Sequence, residues 1–162
     1  MASLWNPTAL PLFTSLLAIL GAADGISNLV RPDLGAANFG LAPPSRTAAH
    51  PSQLDAFHHA LVKVKGARNL HMASCVVGLT LYGACSETCR ASPAAALAVR
   101  RCLGIVLALG SGVGFSGAAV ISDYVAGEGV DEGARELGRR KMWMHLVTNV
   151  PILALGAVYL FY

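Results

Sequence analysis

The chain has 162 residues, a formal net charge of +3, 54% apolar residues and only 13% charged ones. That length fits a single domain, and the charged share is about half the ~25% of an ordinary soluble domain. The basic residues sit at the ends of apolar runs and aromatics are few, which speaks against nucleic acid as a partner.

Twelve Lys/Arg and nine Asp/Glu leave four charge-poor windows: Met1–Ala23, Asn69–Ser86, Cys102–Ser122 and Met142–Tyr162. A membrane helix needs about 20 largely apolar residues, with a tolerated range of ~17–25. The expectation is therefore all-α: one integral membrane domain over 1–162, a four-helix transmembrane bundle running up-down-up-down. Its spans are expected near 10–30, 67–86, 102–124 and 142–162. A water-soluble bundle would need a polar stripe along each helix, and "CLGIVLALGSGVGFSGAAVIS" has none.

In chain order, the first span covers roughly Leu10 to Val30. It has no positive segment before it, and Pro7 and Pro11 precede its apolar core, so it reads as a retained span and not a cleaved signal. "RPDLG" stops it, with Pro32 and Gly35 suited to a helix end. "LAPPSRTAAHPSQ" is a polar, proline-rich loop. Helix resumes near Asp55, and only its second half is lipid-like. "SETCRASP" is a short turn, with Pro93 placed for the first turn of the third helix. That helix continues to about Tyr124. "DEGARELGRRK" reads as an interfacial helical turn before the last helix, which starts with Trp143 at the interface. Pro151 deprives the carbonyl of Val147 of a donor, which allows a kink or an inward-facing acceptor.

Nine of the twelve basic residues fall in the connections after the first and third spans. The excess of Lys/Arg on the cytoplasmic side places both termini in the lumen, in the endoplasmic reticulum. Cys75 and Cys102 lie in apolar windows, so the four cysteines do not form a zinc site; Cys85 and Cys89 either pair or remain thiols. Spacings of small residues, Gly21/Gly25, Ser74/Gly78 and Gly110/Gly114/Ala118, suit close helix packing.

The polar residues are one-sided. Helix one ends with Asp24, Asn28 and Arg31 on one face, and helix two begins with Lys65, Arg68, Asn69 and His71. Helix three ends with Ser122 and Asp123, and helix four begins with Lys141, His145 and Asn149. In an antiparallel bundle all of these meet at one membrane face. Asp24 lies about 10 Å deeper than Arg31, and Asn149 about 12 Å deeper than Lys141. Short side chains at such depth face the interior and find partners. The expectation is a cup open to the cytoplasmic interface, with Asp24 paired to Arg68 or His145.

Within that cup Asp24 and His145 are the candidate catalytic pair. Asn28, Arg31, Lys65, Arg68, Asn69, His71 and Asn149 are candidate substrate-binding groups. No metal and no cofactor is expected: His58 and His59 point apart, and His71 lies roughly 18–20 Å from them along a continuous helix. No phosphate-cradling loop, nucleophile elbow or redox Cys pair occurs.

"RPDLGAANFGL", "KGARNLHMASCVVGLTLYG" and "HLVTNVPILALGAVYL" together resemble a fungal family of small four-helix membrane proteins grouped as a domain of unknown function. Some members lie beside natural-product biosynthetic genes. The resemblance implies importance for Arg31, Pro32, Phe39 and Gly40 after the first helix, for Lys65, Gly66, Arg68 and Asn69 in the second, and for His145. Asn69 stands where the pattern leads one to expect an acid, and Asp123 lies at the margin of helix three and not within it.

Two functions compete at this point. One is a membrane-embedded enzyme that cyclises, isomerises or dehydrates a lipophilic metabolite by general acid–base steps. The other is a scaffold that anchors biosynthetic enzymes through the His58–Arg68 stretch and the acidic Glu128–Glu136 loop. Transport fits less well, because no discontinuous helix pair or inverted repeat is visible. The expected partners are a lipophilic small molecule, membrane lipid, and either a second copy of the chain or a biosynthetic enzyme.

Overall fold

The computed structural model describes residues 9–41 and 51–161, and among these every regular element is an α-helix. In order they are α1 (Ala9–Val30), α2 (Pro32–Phe39), α3 (Pro51–Cys85), α4 (Glu87–Ala91), α5 (Pro93–Ala126) and α6 (Glu132–Phe161). The all-α class matches the expectation, while two short helices join the four long ones.

Three helical stretches, Leu10–Val30, Pro93–Ala126 and Glu132–Phe161, are long and apolar enough to cross a membrane. The expected second span is not among them. α3 is the longest helix, at 35 residues, but Arg68, Asn69 and His71 dilute its apolar half. The element limits also move. α3 starts at Pro51, the "SETCRASP" turn contains α4, and "EGARELGRRK" forms the opening turns of α6. The residues 42–50 of the proline-rich loop lie outside the described residues.

Local chemistry explains the joints. Pro32 sits at the first turn of α2, where its missing N–H costs nothing, so Arg31 interrupts the helix without ending it. Gly40 closes α2 in a left-handed conformation (φ 105°), and its N–H donates to the carbonyls of Ala36 and Ala37. Ser92 caps α5 by accepting a hydrogen bond from the Ala95 N–H at 3.3 Å. Pro151 lies on the exposed side of a continuous α6, so it does not turn an acceptor into the bundle.

The long helices pack as two hairpins, α1 against α3 and α5 against α6, joined mainly where α3 meets α5. Glycines set both close crossings. A methyl on Gly25 would lie 2.9 Å from the Gly66 carbonyl, and one on Gly104 would lie 2.9 Å from the Gly156 carbonyl. Backbones approach this closely only where no side chain intervenes. The shared core is Ala18, Val76, Leu103, Leu107, Leu155 and Tyr159, drawn from all four long helices. Large apolar side chains cover the outside: Leu12 and Val30 are 72% exposed and Leu109 is 67% exposed. A water-soluble fold rarely presents so much contiguous hydrocarbon; a lipid-facing one does.

Candidate functional site

At the Gly25–Gly66 crossing, α1 and α3 carry the same short pattern, a charged residue, Gly, two residues, Asn: Asp24-Gly25 to Asn28 and Lys65-Gly66 to Asn69. The i,i+4 spacing puts charge and amide on one face of each helix, so the two pairs meet across the glycines. Asp24 Oδ2 accepts from Asn69 Nδ2 at 2.7 Å, Asn28 Nδ2 at 2.9 Å and Lys65 Nζ at 3.3 Å. Lys65 also donates to Asn28 Oδ1 at 3.2 Å. All three donors reach one carboxylate oxygen. Among the described residues none reaches Oδ1.

The expected partners of Asp24 are thus replaced. Its ion pair is with Lys65, because the long lysine stem spans the crossing while Arg68 points elsewhere. Arg68 is exposed and spends its Nε and one terminal nitrogen on Asn69 Oδ1, at 3.3 and 3.2 Å. Asn69 therefore bridges the acid and the guanidinium.

α2 folds back over this network. Asn28 is fully buried, and a methyl on Gly35 of α2 would collide with its amide oxygen. Asn28 accordingly stands behind Asp24 and orients it, outside the lining of the hollow. The end of α2 brings Phe39 edge-on to His145, with ring centroids 5.0 Å apart, and under the Lys65 ammonium, 5.2 Å from the ring centre. The ammonium over the aromatic face adds a cation–π attraction. Gly40 seats this end on α6, where a methyl on it would meet the Lys141 side chain.

These elements enclose a cavity of about 220 Å³ whose wall includes Asp24, Lys65, Arg68, Asn69, His145 and Asn149. Its α5 side is nearly bare backbone, Gly114 and Gly117, and the buried Asn149 amide fills the place a side chain at Gly114 would take. Asn149 Nδ2 donates to the His145 carbonyl one turn earlier, at 2.6 Å. That bond holds the amide against the bare backbone of Gly114. An acid with an uncommitted oxygen, an imidazole, a guanidinium and an amide therefore share one hollow, and such a set can move a proton and hold an anion.

Besides Asn28, two expected members lie outside the lining. Arg31 is exposed in the gap between α1 and α2, since Pro32 turns the chain before the arginine can reach inward. His71 is exposed on the outer side of α3, its Nδ1 against the Ala67 carbonyl at 2.8 Å. Ser122 and Asp123 are exposed as well. Asn38 of α2 lines the cavity without having been singled out, and Phe39 entered only through the family resemblance. The signal for Lys65 and Asn69 was present in the repeated charge-Gly-x-x-Asn pattern.

Cys75, Cys85, Cys89 and Cys102 are all free thiols, so Cys85 and Cys89 do not pair in this structure. His59 bonds Asp33 of α2 at 2.6 Å on the surface, away from His71. Among the described residues no group of three His, Cys, Asp or Glu could hold a metal ion.

A family model described as domain of unknown function DUF4267 matches residues 18–159. The chain belongs to the DUF4267 family. No curated protein and no solved structure matches it. The DUF4267 region takes in every residue of the hollow, from Asp24 to Asn149, so the site belongs to the family domain and not to an appendage.

Proposed function

We propose that this protein is a membrane-embedded enzyme that carries out cofactor-free acid–base chemistry on a lipophilic metabolite. The observation that supports this reading is Asp24, whose Oδ1 meets no donor among the described residues, lining the same hollow as His145. In an isomerisation or cyclisation one of the two takes a proton from the substrate and the other returns one. In a dehydration the proton goes to the departing hydroxyl, which leaves as water. Arg68 and Lys65 steady the enolate or carboxylate that carries the charge between those steps, and Asn149 orients the substrate by hydrogen bonding.

The setting proposed with it is a four-span bundle in the endoplasmic reticulum, with α3 as the fourth span and both termini in the lumen. The placement of α3 is supported by its packing against two helices that are long and apolar enough to span, α1 and α5. Its polar groups are tolerable at membrane depth because they turn to Asp24 and the hollow. Orientation rests on the concentration of Lys/Arg in the two connections at the cup end. A place in a fungal biosynthetic pathway follows from the family resemblance alone.

The test is deletion in the native host with metabolite profiling, followed by complementation with wild type and with His145→Ala. The reading expects a stalled lipophilic precursor that wild type clears and His145→Ala does not, with equal membrane expression. Full rescue by His145→Ala would leave an anchoring role, and loss of rescue on neutralising Glu128, Asp131 and Glu132 would then support it.

A further inference from the structure

Immediately below the polar hollow, toward the middle of the bundle, lies a second cavity of about 190 Å³ with walls that are nearly all hydrocarbon: Leu17, Ala73, Val76, Leu107 and Ile152 among them. The two cavities adjoin. Asn69, Gly110 and Val113 line both. On α1 the lining passes from Asp24 down to Leu17, about 10 Å, and on α5 from Gly117 to Leu107, about 15 Å. The lining therefore changes from charged to apolar over a distance of two to three helical turns.

The neck between them is narrow and defined. The Met72 methyl lies 3.3 Å from where a methyl on Gly110 would stand, so the methionine end packs on the bare glycine and closes the neck. That closure is the flexible end of a methionine, which can swing aside with no backbone displaced. Above the neck the charges do not cancel. Asp24 is paired with Lys65, and among the described residues the Arg68 guanidinium has only a neutral amide as partner.

We infer that the ligand is an anionic amphiphile, its carboxylate or enolate at Arg68 and its hydrocarbon chain passing Gly110 into the apolar cavity as the Met72 end swings aside, so that this cavity sets the chain length accepted. This deepens the enzyme reading above and rests on the same hollow. A planar guanidinium suits a two-oxygen anion held by paired hydrogen bonds. The apolar lower half rewards each methylene it buries until it is full.

The probes are the saturated fatty acids from octanoate to palmitate and their matched alcohols. Binding is measured by displacement of a fluorescent fatty acid from the full chain in lipid nanodiscs. Affinity rises with chain length and then levels off. Gly110→Leu flattens that rise and weakens the longer acids by about tenfold or more, while Met72→Ala moves the plateau to a longer chain. Arg68→Gln removes the preference for acid over alcohol, also by about tenfold. A chain-length profile unchanged in both Gly110→Leu and Met72→Ala, or no preference for acids in the wild type, overturns the inference. The two failures separate cleanly. Loss of these effects with His145→Ala still inactive would remove the amphiphile and keep the chemistry. Full rescue by His145→Ala with the profiles intact would remove the chemistry and keep the amphiphile.

Discussion

The two ends of the bundle are built from the same four long helices and use polarity in opposite ways. At the cup end, α1, α3 and α6 turn Asp24, Lys65, Asn69, His145 and Asn149 onto a shared cavity, with capacity left over at Asp24 Oδ1 and at Arg68. At the other end, α1 and α6 meet through one buried hydrogen bond, Thr14 to Tyr159 at 2.9 Å. The Thr14 hydroxyl donates onward to the Leu10 carbonyl at 2.8 Å, so the Tyr159 hydroxyl is the donor between them. That pair is closed on itself and serves packing. Arg100, at the same end, keeps a buried Nε that finds no partner among the described residues. The lesson is that buried polar groups in this fold point to a site only where several converge and some remain unspent among the described residues.

Substitutions can break that contrast. The largest expected effect is on turnover: His145→Ala lowers it by at least about a hundredfold, the usual scale of a lost acid–base group, while Tyr159→Phe leaves it unchanged. Product formation in complemented membranes measures both. Next in size is stability at the crossings. Gly66→Ala puts a methyl 2.8 Å from the Gly25 carbonyl and 2.9 Å from the Asn28 Cβ, which costs about 1–3 kcal/mol as an overpacked contact. It also forces Asp24 away from its donors. Thermal unfolding in detergent reads the first loss, and residual turnover reads the second.

Smaller effects belong to the closed end and the outer surface. Tyr159→Phe removes the hydrogen bond to Thr14 and costs about 1 kcal/mol, without touching fatty-acid binding. Gly78→Ala meets nothing within 4 Å on an exposed face of α3. It stabilises the helix by roughly 0.5–1 kcal/mol through lost chain entropy. A destabilising Gly78→Ala would mean that this outer face packs against a protein partner.

Much of this was legible in the residues. Charge-poor windows located α1, the second half of α3, most of α5 and the second half of α6, because lipid-facing helices must be apolar all round. The gathering of acid, base and amide at one end followed from antiparallel connectivity. What escaped was short or depended on reach. α2 has eight residues, and its start at a proline reads equally well as a stop, so Asn38 and the seating of Phe39 over His145 were hidden. The choice of Lys65 over Arg68 as partner of Asp24 was set by the Gly25–Gly66 crossing, and composition does not announce which glycines face each other. Gly110 and Gly114 read only as a spacing for close helix packing; they also line the hollow.

The central claim is a polar hollow inside the bundle at membrane depth, and neighbouring residues of α5 test it most directly. Val113 lines both cavities, whereas Gly112, at nearly the same depth, is exposed and would meet nothing within 4 Å. With the four native cysteines replaced, Val113→Cys and Gly112→Cys are each treated with a charged, membrane-impermeant thiol reagent in nanodiscs. The account predicts rapid labelling at 113, blocked by dodecanoate, and none at 112. Equal labelling at both, or labelling at 112 alone, would contradict it.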